Sequence, residues 1–128
     1  LIEVSKTWSA RRRVHRTGNL EIRPAELQIL IEGRRIGLTV REFELLLRLS
    51  EHQDRVVRRT EIYRLVWGDE MRRRDRSVDV VIHRVRAKLG RIAPDWRYIH
   101  THFGIGYRFA PERLERPSAL PARSAAGD

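Results

Sequence analysis

The sequence predicts a mixed α+β fold: a small N-terminal antiparallel sheet, three helices and a C-terminal β-hairpin. Three observations carry this. Apolar residues alternate between Leu20 and Leu38, as they do along half-buried strands. Three later stretches repeat apolar side chains every three or four residues, the period of a helix. Alternation then returns from Arg97 to Ala110, around Gly104-Ile105-Gly106. The 128 residues suit one domain, in which a single core buries roughly two-thirds of the unfolded chain's surface.

Taken in order, Leu1 to Thr17 reads as a linker or the end of an upstream segment: a weakly amphipathic piece (Leu1, Ile2, Val4, Trp8), then the basic run Arg11-Arg12-Arg13. From Gly18 the chain is strand-like. Leu20 and Ile22 alternate, Pro24-Ala25-Glu26 interrupts, Leu27, Ile29 and Ile31 alternate again, and Glu32-Gly33 turns into Ile36 and Leu38. Thr39-Val40-Arg41-Glu42 is a capping box opening the first helix, in which Phe43, Leu46, Leu47 and Ser50 share a face widened by Leu45 and Leu49. A helix this apolar belongs at the centre of the core, and Gln53-Asp54 breaks it. The second helix runs from Arg59 to Trp67, burying Ile62, Leu65 and Val66, and Gly68 stops it. A polar loop, Asp69 to Asp75, leads to the third.

That third helix, RSVDVVIHRVRAKL (76–89), places Val78, Ile82, Val85 and Leu89 at i, i+4, i+7 and i+11 on one face. Gly90 to Asp95 is predicted to unwind it. The opposite face carries Arg76, Val80, His83, Arg84 and Ala87. A merely solvated face would more often hold Glu, Lys or Gln in place of the valine and alanine. Two helices followed by a longer basic one form a helix-turn-helix-like unit, and the hairpin supplies a wing. The domain is therefore predicted over 18–110, and residues 111–128, rich in Pro, Ala, Ser and Arg, are expected to be disordered.

Lys and Arg number 27 against 17 Asp and Glu, a net charge of +10, which points to a polyanionic partner. With no cysteine, a disulfide scaffold and a thiolate zinc site are excluded, and a reducing compartment, the cytoplasm, is expected. No apolar run approaches the ~20 residues of a membrane span, so no membrane partner is expected. The major groove of DNA admits a helix, Arg matches guanine edges and phosphates there, and small apolar residues permit close approach or meet a thymine methyl. The outer face of the third helix fits that groove.

The same residues carry a family likeness. Over roughly Gly18 to Phe109 the chain resembles the DNA-binding effector domain of OmpR/PhoB-family response regulators. The likeness rests on GLTVREFELL (37–46), VVRRTEIYRLVWG (56–68), RSVDVVIHRVRAKL (76–89) and YIHTHFGIGYRF (98–109), four blocks in the right order. It implies a winged helix-turn-helix with an N-terminal four-stranded sheet. It also implies roles: Arg76, Ser77 and Arg86 on phosphates, Val80 and Arg84 on base edges beside His83, and Trp67, Thr101 and Tyr107 holding the DNA backbone. The loop Gly68 to Asp75, with Asp69, Glu70, Arg72, Arg73 and Arg74, matches the segment that can touch RNA polymerase. An upstream receiver domain, a sensor histidine kinase acting on it and a homodimer on tandem DNA half-sites are further implied. Three positions depart from the family pattern: Val81 stands where His is frequent, Phe103 where Arg commonly enters the minor groove, and Arg58 where Ser caps the second helix.

Single residues also admit other readings. Trp67 also reads as core at a helix end, and Arg72-Arg73-Arg74 as a solvated run. Asp79 reads as a structural partner of Arg76, His83 or Arg86. His100 and His102 share a strand face, but no third ligand forms a motif and no metal is expected. Gly104-x-Gly106 is a hairpin turn and no nucleotide loop. Ile99, Thr101 and Phe103 alternate together, so Phe103 is expected to extend the apolar surface toward the third helix. DNA would then be read mainly in the major groove. No nucleophile elbow, paired carboxylate or phosphate loop suggests an enzyme or a cofactor. The alternative function is a winged helix used for protein contact or sequence-blind nucleic-acid binding, which the outward arginines disfavour.

Overall fold

The computed structural model describes residues 13–115. Its elements run β1 (His15–Thr17), β2 (Leu20–Arg23), β3 (Gln28–Ile31), β4 (Arg34–Arg35), α1 (Val40–Ser50), β5 (Val56–Arg58), α2 (Arg59–Trp67), α3 (Ser77–Ile92), β6 (Trp96–His102) and β7 (Gly106–Arg113). The first four strands form an antiparallel sheet in sequence order. Leu20 pairs with Ile31 and Ile22 with Ile29, so four apolar side chains project to one face and are buried against the helices. Glu32 and Gly33 both take positive φ, which makes the two-residue β3–β4 connection a turn of the twist that suits a hairpin. The expected alternation fails at Leu27. That residue ends the short 3-10 turn Pro24–Glu26 in the left-handed region and is 59% exposed.

The capping box opens α1 as predicted. The Thr39 side chain accepts the Glu42 amide at 3.1 Å, and Glu42 accepts the Thr39 amide at 2.9 Å. Phe43, Leu45, Leu46, Leu47 and Leu49 are all buried, so this helix is the hub on which the others pack. Glu42 itself is only 3% exposed, and its Oε1 accepts a hydrogen bond from Lys88 Nζ on α3 at 2.6 Å. Gly68, at φ +77, closes α2 with its amide on the Arg64 carbonyl.

Several expectations are corrected by long-range pairing. Alternation predicts a two-stranded hairpin, but β5 joins it to make a sheet ordered β5-β7-β6. Gly106 permits that closeness: a Cβ there would lie 2.0 Å from the Val57 carbonyl oxygen. The third helix does not unwind at Gly90 but continues to Ile92. Pro94 sets its end, because the residue before a proline is driven out of the helical region, and Ala93 sits at φ −130, ψ 73. The 17/18 boundary falls inside the β1–β2 hairpin, and β7 passes the boundary at Ala110 to reach Arg113. The remainder of the predicted linker, 1–12, and of the predicted tail, 116–128, lies outside the described residues. No helix of the described chain is long and apolar enough to cross a membrane.

Candidate nucleic-acid interface

The two faces of α3 separate as its periodicity requires. Val78, Val81, Ile82, Val85 and Leu89 are buried, while Arg76 at its N-cap and Val80, His83, Arg84 and Ala87 are exposed. Val80 is 43% exposed, which leaves an apolar surface between cations. Val81, the position where the family pattern has His, is part of the core.

Asp79 stands on the same helix beside this face and is half-buried. Its Oδ1 accepts Arg59 Nε from α2 at 2.8 Å and the Tyr107 hydroxyl from β7. Of the partners expected from sequence (Arg76, His83 or Arg86), Arg76 acts on Asp79 through its charge, while the hydrogen bonds come from α2 and the wing. Burial opposes ionisation of Asp79, but the Tyr107 hydroxyl and Arg59 outweigh it and hold its carboxyl below the ordinary value. The hydrogen bond that Arg59 donates to Asp79 raises Arg59 above its ordinary value. Burial first, then Asp79, push the Tyr107 phenol up.

Arg86, expected on phosphate, turns toward the wing. Its Nη2 donates to the Ile99 carbonyl at 2.8 Å and to Thr101 Oγ1 at 2.6 Å, and Nε reaches the same carbonyl at 3.2 Å. Burial pulls its pKa below the ordinary value; Tyr107 opposes this and the like charge of Arg97 adds to it. The guanidiniums of Arg59 and Arg86 both lie over the Tyr107 ring, at 5.3 and 5.5 Å from its centroid. Tyr107 is buried and Thr101 half-buried. These three predicted contact residues thus converge with Asp79 and Arg59 into one network that locks α3 to α2 and to the wing.

The remaining predicted residues lie at the two ends of the helix-turn-helix unit. The Ser77 amide donates to Asp75 Oδ1 at 2.8 Å; the Ser77 side chain first, and then this amide, hold the Asp75 carboxyl below its ordinary value, which places a carboxylate at the α3 N-terminus. Trp67 stacks on Tyr63 at 4.8 Å and lies under the Arg41 guanidinium, also at 4.8 Å. Asp69, Glu70, Arg72, Arg73 and Arg74 are exposed in the loop between α2 and α3, with Met71 packed against the core. Arg58 supplies no side-chain cap to α2, as its side chain requires.

The hairpin departs from expectation at its tip. Phe103 does not pack toward α3; it is 90% exposed, in the turn beyond the last paired residues His102 and Gly106. The ladder is irregular between Arg97 and Ile99, and Tyr98 and Ile99 are consecutively buried, so simple alternation cannot be carried along β6. His100 and His102 use their ring nitrogens on the Ala110 carbonyl and on Arg108 Nε. Between α3 and the wing lies an open concavity of about 660 Å³, lined by Arg86, Arg97 and Arg108 with His100, His102 and Phe103; among the described residues no carboxylate lines it, though Glu112 Oε1 lies 3.8 Å from His100 Nε2. Arg59, Arg97 and Arg108 had not been singled out from sequence. Their signal was only positional: Arg97 and Arg108 alternate with the buried residues of the hairpin, and Arg59 meets a partner 20 positions away.

Comparison with known proteins agrees with this geometry. The family model described as "Transcriptional regulatory protein, C terminal" matches residues 33–109. The transcriptional regulatory protein SrrA of Staphylococcus aureus is 31% identical over 101 residues, covering 78% of this chain and 42% of SrrA. The chain thus spans less than half the length of that relative. Among solved structures, the Klebsiella pneumoniae RstA DNA-binding domain in complex with the RstA box superposes with a TM-score of 0.70 at 32% identity, covering 77% of this chain and 97% of that one. The DNA-binding domain of CpxR from E. coli gives 0.69 at 27% identity, covering 77% and 96%. DrrB, a Thermotoga maritima OmpR/PhoB homologue, gives 0.68 at 32% identity, covering 86% of this chain and 50% of that one. The chain belongs to the OmpR/PhoB family of transcriptional regulatory proteins, whose C-terminal domain it contains.

Proposed function

We propose that this chain binds duplex DNA sequence-specifically as the output domain of a two-component response regulator. The observation that carries this is the outer face of α3, where Arg76, His83 and Arg84 stand exposed around Val80 and Ala87 while Asp79 is held by Arg59 and Tyr107. Arg84 and Val80 meet base edges in the major groove. Arg76 and the exposed arginines of the α2–α3 loop neutralise phosphates, and the network through Arg86, Thr101 and Tyr107 positions helix and wing against the backbone. Ser77 meets phosphate once Asp75 yields its amide, and Trp67 contacts the backbone at the end of α2.

The wider reading follows the same likeness. A receiver domain precedes this one and takes phosphate from a sensor histidine kinase, two copies occupy tandem half-sites, and Asp69, Glu70 and Arg72–Arg74 meet RNA polymerase. The domain acts in the cytoplasm and needs neither cofactor nor catalysis.

Titration with a selected and a scrambled duplex at two salt concentrations tests the proposal. Neutralising about four to six phosphates gives log K against log salt a slope near −4 to −5. The selected duplex is expected to bind at least a hundredfold more tightly than the scrambled one. A slope near zero removes the DNA reading, and equal affinities remove its sequence specificity.

A further inference from the structure

The wing ends in an apolar tip that the core does not use. Phe103 is 90% exposed and Ile105 is 50% exposed, on either side of Gly104 at φ +77. The tip is anchored at both ends. Two residues before Phe103, Thr101 accepts Arg86; two after Ile105, Tyr107 donates to Asp79. Both anchors are on α3, so the turn is held at a set distance from the helix assigned to the major groove. Its shoulders are cationic. Arg58 pairs with Gly106 at the base of the turn, Arg108 donates to His102 at 3.1 Å, and the adjoining concavity adds Arg86 and Arg97.

We propose that this tip enters the minor groove beside the site read by α3, where Phe103 wedges into a base step and unstacks it. The proposal rests on the DNA-binding reading above and deepens it. Apolar side chains of this kind kink duplexes by partial insertion, and pyrimidine–purine steps yield most readily. Ile105 packs on a sugar, while Arg58 and Arg108 sit on the flanking phosphates. A protein partner fits the tip less well. One Phe and one Ile ringed by arginines make a small apolar patch, whereas specific protein interfaces bury about 1,200 Å² or more and hold few charges at their centre. The wing is therefore a reader of deformability: it favours operators with a TA or CA step at the flank, although no hydrogen bond reads those bases.

The test uses a half-site duplex selected from a random pool by the wild-type chain. It carries a fluorophore pair at its ends and 2-aminopurine placed in turn at each flanking step. Wild-type protein is expected to raise 2-aminopurine emission at one flanking step and to shorten the end-to-end distance. Phe103→Ala is expected to lose both signals and to bind about tenfold more weakly, the scale of one lost aromatic–base contact. Its melting curve stays unchanged, because the side chain supports no core. Phe103→Leu, still a wedge, retains part of the distortion, and protection of guanines under α3 persists in both variants. If wild type binds without distorting the duplex, or Phe103→Ala bends it equally, the wedge is refuted while DNA binding stands. If, on a second duplex carrying two half-sites, Phe103→Ala changes only cooperativity, the tip is a protein contact and the wedge is likewise refuted. A wild-type chain that binds no duplex overturns both readings.

Discussion

Arg86 Nη2 lies 2.6 Å from Thr101 Oγ1, so a cation on the recognition helix is committed to holding the wing. With the Ile99 carbonyl it makes a fork that only a guanidinium can fill. Arg86→Ala is expected to destabilise the fold by about 1.5–3 kcal/mol, the range for hydrogen bonds from a charged donor. Affinity should fall alike for every DNA sequence as the wing loosens. Arg86→Lys should restore little of this. Urea unfolding beside DNA titration checks it; unchanged stability with weakened binding would make Arg86 a phosphate ligand.

Arg84 should behave in the opposite way. It is exposed one turn beyond Val80, and among the described residues none holds it in a hydrogen bond or ion pair. Arg84→Ala is expected to leave melting unchanged and to reduce discrimination between operator and random duplex by about 1–3 kcal/mol, the scale of a bidentate guanine contact. Equal weakening on both duplexes would reassign it to the phosphate backbone.

Acid should act through Glu42. Burial opposes its ionisation, but Lys88 and the Thr39 amide prevail and hold its pKa below the ordinary 4.5. A carboxyl depressed on folding contributes stability that is complete above its unfolded pKa and disappears as pH falls through the folded one. Asp79, depressed from 3.8, adds to the same loss at lower pH. Stability is therefore expected to decline below about pH 4.5. Glu42→Gln keeps the capping box but leaves Lys88 without its charge partner, so it should lose about 1–3 kcal/mol at pH 7 and flatten this decline. Chemical denaturation from pH 3 to pH 7 reads both effects, and an unaltered acid profile would contradict the assignment.

Two glycines should respond with opposite signs. At Gly106 an added methyl meets the Val57 carbonyl, and only parting β5 from β7 relieves the clash. Gly106→Ala is expected to cost at least 3 kcal/mol, or about the largest loss a single substitution in this fold can give. Gly90 lies within α3, where an added Cβ meets nothing within 4 Å. Gly90→Ala should stabilise by about 0.5–1 kcal/mol by limiting the unfolded chain and favouring the helix. Thermal melts of the two variants decide the matter.

Much of this protein was legible locally. The two faces of α3, the capping box at Thr39 and Glu42, and the stop at Gly68 all follow from helical period and cap chemistry, which act within one or two turns. They needed no knowledge of distant partners. The outward set Arg76, Val80, His83, Arg84 and Ala87 could therefore be named in advance, and with it the candidate DNA surface.

Tertiary structure alone decided which charges were free to act. Three residues of β5 are too few to show a period, and they become a strand only because β7, about 50 positions away, offers a ladder. Asp79 took its hydrogen bonds from Arg59 and Tyr107, with Arg76 acting only through charge, because α2 and β7 pack at that point and bring donors to a partly desolvated carboxylate. Arg86 turned inward because β6 presents the Ile99 carbonyl and the Thr101 hydroxyl together to its fork. Phe103 stayed outside because the turn leaves the sheet before the next core position is reached. Periodicity assigns a residue to a face. Which partner it finds there depends on the element that the fold packs against that face.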